Sequence, residues 1–504
     1  MRRAAAAAVY AVLEGSAYWH HRRRFDELDG LRPNELSHAT LAAAVDYCAW
    51  LEKEIREDVD PAHNIEHSFY GRKVQEIPRR AVVAWACRLL AMDDTRMRLL
   101  RPGDAFDHGL GHFTADVVKQ AESIVRHLEM RPEDEVNGIC TRRLVFLSDS
   151  MMSDDALSQI AYVQRQLPLY SWYKPILVQT CIRMCLFLQY VGLSWLGFHR
   201  TPADPSTGIV RWTRRASASP RASCAAAEPA TGGAPRPPLF FLHGVGLGLF
   251  PFLPLISQLP TDRTVVAFEF PIQSQLEGAA LINADRPFPT SAALADYFHS
   301  QVHELGADRC DVIGESFGTI VMSFISRHHP QLMRRTVYID PVNLFASFGQ
   351  LIRFGADIDL ESIRRCWEAS PYVGRFISSW FIRGDLFAQY VLKRAITVVE
   401  FMEKGKLDHC DALFLIGGKD LAVNSDHTLW YLRVKCPNAR VLFMPTWKHA
   451  GITRFWAAGP AVEAVVQFIT RGDFDVQLPP GQFVIDPEIP LARTFATPAV
   501  SCSP

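Results

Sequence analysis

The sequence predicts an α/β chain, with a mostly parallel β-sheet covered by helices on both faces and a mainly helical region ahead of it. Three observations predict this. After residue 238, short apolar runs (PLFFL, TVVAFEF, CDVIG, TVYID, ALFLIG and VLFMP) alternate with helical stretches. That is the pattern of strands buried on both faces and joined by crossover helices. Upstream, apolar residues recur at three- and four-residue spacing with charges on the opposite face. Finally, 504 residues exceed what one ordinary hydrophobic core accommodates.

Composition bounds the partners. The chain is 48% hydrophobic and 21% charged with a net charge of −1, a balance that argues against a nucleic-acid partner. Its eleven cysteines are odd in number and scattered, without a CxxC pair or metal-ligand spacing, and no N-x-S/T sequon occurs. These features predict reduced thiols and an intracellular setting.

Residues 1–200 form the helical N-terminal region. It opens on "MRRAAAAAVYAVLEGSAYWHHRRR", which fits neither a secretory signal nor a transit peptide well and reads equally as an anchoring amphipathic segment. "SHATLAAAVDYCAWLEKEIREDV" carries helical periodicity, and Pro78 in "EIPRRAVVAWACRLLAM" suits a first helical turn. The most apolar run is Ile176–Phe198, whose 23 residues could span a hydrocarbon core of about 30 Å. Its eleven Ile, Leu, Val and Phe favour insertion by roughly 3–7 kcal/mol, whereas Arg183 near its middle opposes it by about 3 kcal/mol. Insertion is therefore marginal, and segment 176–198 is read as either a membrane-associated helix or a buried one.

Residues 201–238 are rich in Pro, Ala, Ser and Gly and read as a linker, with an edge strand over 208–215. Residues 239–475 hold the alternating pattern, and the long interval 341–410 reads as a helical, aromatic excursion above the sheet. The proline-rich end, 476–504, reads as an extended tail.

The chemistry begins at "RCDVIGESFGTIVMSF". GESFG places Ser316 between an apolar run and a helical one, where Gly314 and Gly318 let strand and helix backbones close on each other. A serine hydroxyl needs a base to take its proton and a third group to orient that base. "DALFLIGGKDLAV" ends a strand run with Asp420, and "ARVLFMPTWKHAGI" ends the next with His449. In "PLFFLHGVGLGLF", His243-Gly244 ends a strand and glycines follow. The expected oxyanion donors are the amides of Val245 and Phe317, with Gly244 and Gly246 shaping the loop. HGVGLG lacks the Walker lysine and the G-x-G-x-x-G spacing that would favour phosphate binding.

HGVG, GESFG, GGKD and KHAG, in that order from about residue 205 to 475, resemble the α/β-hydrolase superfamily. The resemblance implies Ser316 as nucleophile, His449 as general base and then acid, Asp420 as the orienting acid, and 341–410 as a cap over the pocket. Asp340 in "YIDPV" is the alternative acid, since some members place it there. Glu315 departs from the many members that carry His before the nucleophile. The long N-terminal part resembles uncharacterised membrane-associated members more than secreted lipases.

The expected activity is hydrolysis of carboxylic esters with apolar, lipid-like acyl groups, without cofactor or metal. The alternatives are an acyltransferase or thioesterase with the same triad, or a non-catalytic scaffold of the same fold. The expected partners are a small-molecule ester or lipid and, through 176–198, a membrane surface. Two histidine patterns, "HNIEH" (His63 to His67) and "DHGLGH" (His108 and His112), are too short and lack a marked third ligand to predict zinc.

Overall fold

The apolar runs after residue 238 become strands because both of their faces are covered. The computed structural model describes residues 2–29, 50–58, 60–69, 72–90, 115–130, 135–136, 139–140, 143–149, 173–216, 236–270, 288–344, 385–391, 403, 411–453, 459–475 and 483–485. The N-terminal part contains helices α1 (Arg2–Asp29), α2 (Pro61–Ser68), α3 (Arg79–Leu90) and α4 (Ala115–Met130), with 50–57 also helical. A small hairpin, β1 (Glu135–Val136) and β2 (Ile139–Cys140), and helix α5 (Ile176–Trp195) follow. The chain then runs through β3 (His199–Arg200), β4 (Val210–Arg214), β5 (Leu239–Leu242), α6 (Leu253–Gln258), β6 (Val265–Glu269) and α7 (Ser291–Glu304). It continues through β7 (Cys310–Glu315), α8 (Phe317–His328), β8 (Met333–Ile339), α9 (Leu386–Tyr390), β9 (Asp411–Gly417), α10 (Ser425–Lys435), β10 (Arg440–Met444), α11 (Gly459–Arg471) and β11 (Phe483–Ile485).

Nine strands form one sheet in the order β11-β10-β9-β8-β7-β5-β6-β4-β3. The six from β10 to β6 are parallel to their neighbours in that order, and β11, β4 and β3 pair antiparallel at the margins. Side chains alternate across the sheet. Phe240, Leu242, Val266 and Phe268 enter one core, whereas Leu239, Phe241, Val265 and Ala267 enter the other. Each fully buried Phe or Leu is worth about 1.5–3 kcal/mol over an exposed one.

Two boundaries differ from the sequence reading. β4 falls within the strand expected over 208–215, but the sheet begins earlier, at β3 in the last two residues of the expected helical region, so β4 lies one strand in from the edge. Backbone pairing of Val210–Arg214 with β6 buries Trp212, whose indole N–H donates to Glu269 at 3.0 Å, and that burial outweighs the polar composition around it. In the expected tail, β11 pairs with β10. Of the excursion 341–410, residues 345–384, 392–402 and 404–410 lie outside the described residues, as do His108 and His112.

The N-terminal helices and the sheet share one core. Leu51, Ile55, Val82, Ile124 and Val125 belong to the same buried cluster as Phe414, Trp430 and Val441. Buried polar contacts cross the same boundary. His427 Nε2 bonds Asp58 at 2.7 Å, and the other oxygen of Asp58 accepts from Asn64 at 2.8 Å. Burial would raise the Asp58 carboxyl, but His427 and Asn64 hold it below its ordinary range. Asp58→Ala removes the partner of a buried imidazole and is expected to cost about 3–5 kcal/mol. Because the core is continuous, denaturant unfolding should stay a single transition by fluorescence and circular dichroism. Two separated transitions would show that the helical layer folds apart from the sheet.

Candidate active site

Five neighbouring parallel strands deliver the predicted residues to one edge of the sheet. Reading across it, His449 lies five residues beyond β10, Asp420 three beyond β9, Asp340 directly after β8 and Ser316 directly after β7, while His243-Gly244-Val245 follow β5. The carboxyl ends of parallel strands are where open α/β sheets bind ligands.

The Ser316 turn is forced by backbone crowding. β7 ends and α8 begins with only Ser316 between them, at φ 49° and ψ −112°. A Cβ on Gly318 would fall on the carbonyl of Leu242, and one on Gly314 would run into Met322 and the Gly318 backbone. The turn is tied by the Ser316 N–H to the Ile339 carbonyl at 2.9 Å and by the Thr319 hydroxyl to the Ser316 carbonyl at 2.6 Å. Among the described residues, the non-glycine positions with left-handed φ are Ser316 (49°), Asp340 (46°) and Ala450 (58°). All three lie at this edge, so the strained backbone of the described chain is concentrated here.

The side chains form a relay. With the imidazole proton on Nδ1, His449 donates to Asp420 Oδ2 at 2.7 Å, and the Ser316 hydroxyl donates to His449 Nε2 at 2.7 Å. Asp420 is fixed in turn, its other oxygen accepting the N–H groups of Ala422 (2.7 Å) and Val423 (3.1 Å). Asp340 makes a different contact. Its Oδ2 accepts the Ala450 N–H at 2.6 Å, clamping the loop that carries His449. Asp340, Asp420 and His449 present ligand-type atoms within 4.8 Å of one another, the one such cluster among the described residues. Those donors and acceptors are engaged with each other and with Ala450.

The loop after β5 is held from both sides. His243 is fully buried, its Nε2 accepts the Phe270 N–H at 3.1 Å, and its Nδ1 therefore donates to the Gly244 carbonyl at 2.6 Å. Burial pushes the His243 imidazole down to about 4, so it stays neutral and keeps that tautomer. The Gly244 N–H donates to the Glu315 carboxyl, and a Cβ on Gly244 would overlap that carboxyl and Ser316. Val245 comes next in this loop. Phe317 is the first residue of α8, where helix N–H groups point outward and the helix dipole favours negative charge. Sequence reasoning named His243 only as a strand end. Its HG pair was the available signal, but the ring's two partners are set by folding.

A serine between two crowding glycines after a central parallel strand, with an acid and a histidine after later strands in the order Ser, Asp, His, is decisive for the architecture. This is the α/β-hydrolase fold. Among solved structures, the chain is similar to the carboxylesterase CesB from Bacillus subtilis at 12% identity and TM-score 0.36, covering 57% of this chain and 98% of the other. The naproxen esterase from Bacillus subtilis is similar at 11% identity and TM-score 0.37, covering 56% and 97%. An enol-lactonase from Burkholderia xenovorans LB400 is similar at 14% identity and TM-score 0.35, covering 54% and 100%. No family model and no curated protein matches the sequence.

Within this α/β-hydrolase fold the electrostatics are crowded. Burial pushes the Glu315 carboxyl up to about 8 and the Asp340 carboxyl up to about 7. Burial alone would lower His449, but Asp420 first, then Asp340 and Glu315, outweigh it and raise the imidazole above its ordinary value. Between pH 4.5 and 8, Glu315 is thus a neutral acid beside Ser316. Above about 8 its ionisation puts a negative charge next to any oxyanion forming there. The HNIEH pattern lies elsewhere, on α2, where the Glu66 carboxylate takes the Lys73 ammonium at 3.0 Å and the Val74 N–H at 3.2 Å.

Two outcomes follow for Glu315. As pH rises past about 8, rate on a soluble ester should fall in the unaltered chain relative to Glu315→Gln, which copies the neutral acid but cannot ionise. Glu315→Ala, lacking the acceptor for Gly244, should lose rate at every pH. A kcat/KM profile from pH 6 to 10 reads both, and an unchanged alkaline limb in Glu315→Gln would contradict the assignment.

Proposed function

We propose that the chain is a serine hydrolase that cleaves carboxylic esters with apolar acyl groups through an acyl-enzyme. The observation that carries this reading is the continuous Ser316–His449–Asp420 chain, 2.7 Å at each link, on a strained turn at the sheet edge. Ser316 Oγ attacks the ester carbonyl while its proton passes to His449 Nε2. Asp420 stabilises the imidazolium that forms. The N–H groups of Val245 and Phe317 are the donors for the tetrahedral oxyanion, with the α8 N-terminus adding its dipole. Collapse breaks the bond to the alcohol, which leaves with the proton from His449. Water then attacks the acyl-enzyme with His449 again as base, releasing acid and restoring Ser316.

Raised His449 sets the acidic limb. The imidazole must be neutral to accept the Ser316 proton, so activity should climb with pH through a value above 6.5. The unaltered chain should react with a fluorophosphonate probe and Ser316→Ala should not, at equal thermal stability. Asp420→Asn should lower kcat by about 10⁴-fold. Asp340→Asn, which keeps an oxygen for the Ala450 N–H, should cost far less. Probe labelling of Ser316→Ala equal to the unaltered chain would sink the hydrolase reading. The reverse ranking of the two Asn variants would move the orienting acid to Asp340.

A further inference from the structure

Helix α5 is apolar on two faces at once. One face is docked: Ile182, Gln189 and Leu193 are buried, and the Gln189 side chain accepts the Leu249 N–H at 2.7 Å. Gly192 lets the helix close on Leu253, whose Cδ1 a Cβ would meet at 2.9 Å. The other face carries Leu177, Met184, Leu188, Val191 and Trp195, spaced three, four or seven residues apart and so aligned in one stripe. The stripe runs about 27 Å at a rise of ~1.5 Å per residue. All five side chains are exposed, Trp195 at 86%, and exposed Phe187 widens the stripe. Apolar patches of this extent mark a partner surface.

Neighbouring features say what the partner is. The stretch from Lys174 to Ala203 contains no Asp or Glu, whereas Arg183 lies exposed on the flank of the stripe and exposed His199 and Arg200 follow its end. Helix α1 is tied alongside, with the Glu14 carboxylate accepting the Ile176 N–H at 3.2 Å. It adds exposed Val12, Leu13 and Trp19, and an Arg23 guanidinium 5.9 Å from the Trp19 ring. An apolar stripe with an aromatic end and a cationic rim complements an anionic lipid surface. The helix is also long and apolar enough to cross a bilayer, with a mean hydropathy of 1.6. However, its buried face is packed on the sheet domain along its middle and C-terminal half, and β3 begins four residues after it ends. A spanning helix would draw the sheet into lipid.

We propose that α5 lies in the plane of an anionic bilayer surface, outward stripe in the acyl boundary, and delivers membrane lipid to the Ser316 edge. The delivery part rests on the ester-hydrolase reading. The C-terminal half of α5 adjoins the loop that leaves that edge: Gln189 holds Leu249, five residues beyond Gly244, and buried Lys174, two residues before α5, pairs with Asp385 at 2.7 Å. The substrates this arrangement favours are carboxylic esters of long acyl chains drawn from the bilayer.

Co-sedimentation of the full chain with phosphatidylcholine vesicles, with and without phosphatidylserine, tests the surface. The unaltered chain and Ser316→Ala should both partition onto the phosphatidylserine vesicles. A Phe187→Ser, Leu188→Ser, Trp195→Ser variant should lose at least about tenfold in partitioning and keep its unfolding midpoint and its rate on a soluble short-chain ester. Equal partitioning of that variant would overturn the proposal. So would resistance of membrane-bound protein to alkaline extraction, which would mark a spanning helix. A lipid-free dimer that the triple variant converts to monomer would assign the stripe to a second copy instead. Vesicle binding without any hydrolysis would leave the surface standing and remove the delivery role.

Discussion

Two backbones pass too close for any side chain between them, and most of the site follows from that constraint. The β7 strand and the α8 helix converge at Gly314 and Gly318, leaving Ser316 in a left-handed conformation that an L-residue adopts only under compulsion. The compulsion comes from the ladder to β8, the Thr319 hydroxyl and the apolar burial of α8, where residues 317–325 are all buried. Because the hydroxyl is thrust past the sheet edge, whatever meets it must arrive from the ends of neighbouring strands. β8, β9 and β10 each send one such residue.

Electrostatics sets the second constraint. Glu315, Asp340, Asp420 and His449 share a small, largely buried volume, and such a volume cannot hold three carboxylates. The fold separates their roles by the partner given to each. Asp420 receives two backbone N–H groups and the imidazole. Asp340 takes the Ala450 and Gly417 N–H groups and Glu315 the Gly244 N–H, and burial drives both toward the neutral form. One carboxyl that holds the imidazole and two that brace the adjacent loops is the division of roles that these hydrogen bonds make.

What could be read in the sequence was what short spacing encodes. GESFG implies the crowded turn because glycine is needed within two residues of Ser316, and the apolar runs imply strands because both faces are covered. The order of HGVG, GESFG, GGKD and KHAG follows the order of strands. What escaped was set by contacts across long intervals. Asp340 and Ala450 are 110 positions apart, so a clamp on the His449 loop leaves no local trace. The joining of the N-terminal helices to the sheet core through Asp58 and His427 is hidden for the same reason. β4 was seen only as an edge strand, because nothing nearby in sequence announces that β3 will pair outside it. For α5, hydropathy alone could not say which face is docked; Gln189, polar and buried, decides it.

The ion pair between Lys174 and Asp385 ties α9 to the residues that lead into α5. Both side chains are almost wholly buried, and Asp385 also caps α9 through the Ala388 N–H. Separating a buried pair costs about 3–5 kcal/mol, which holds the separated state to roughly one molecule in a hundred or fewer at equilibrium. Residue 385 therefore does not swing away from α5 as a free flap. A displacement of α9 either breaks this contact at that cost or carries the start of α5 with it.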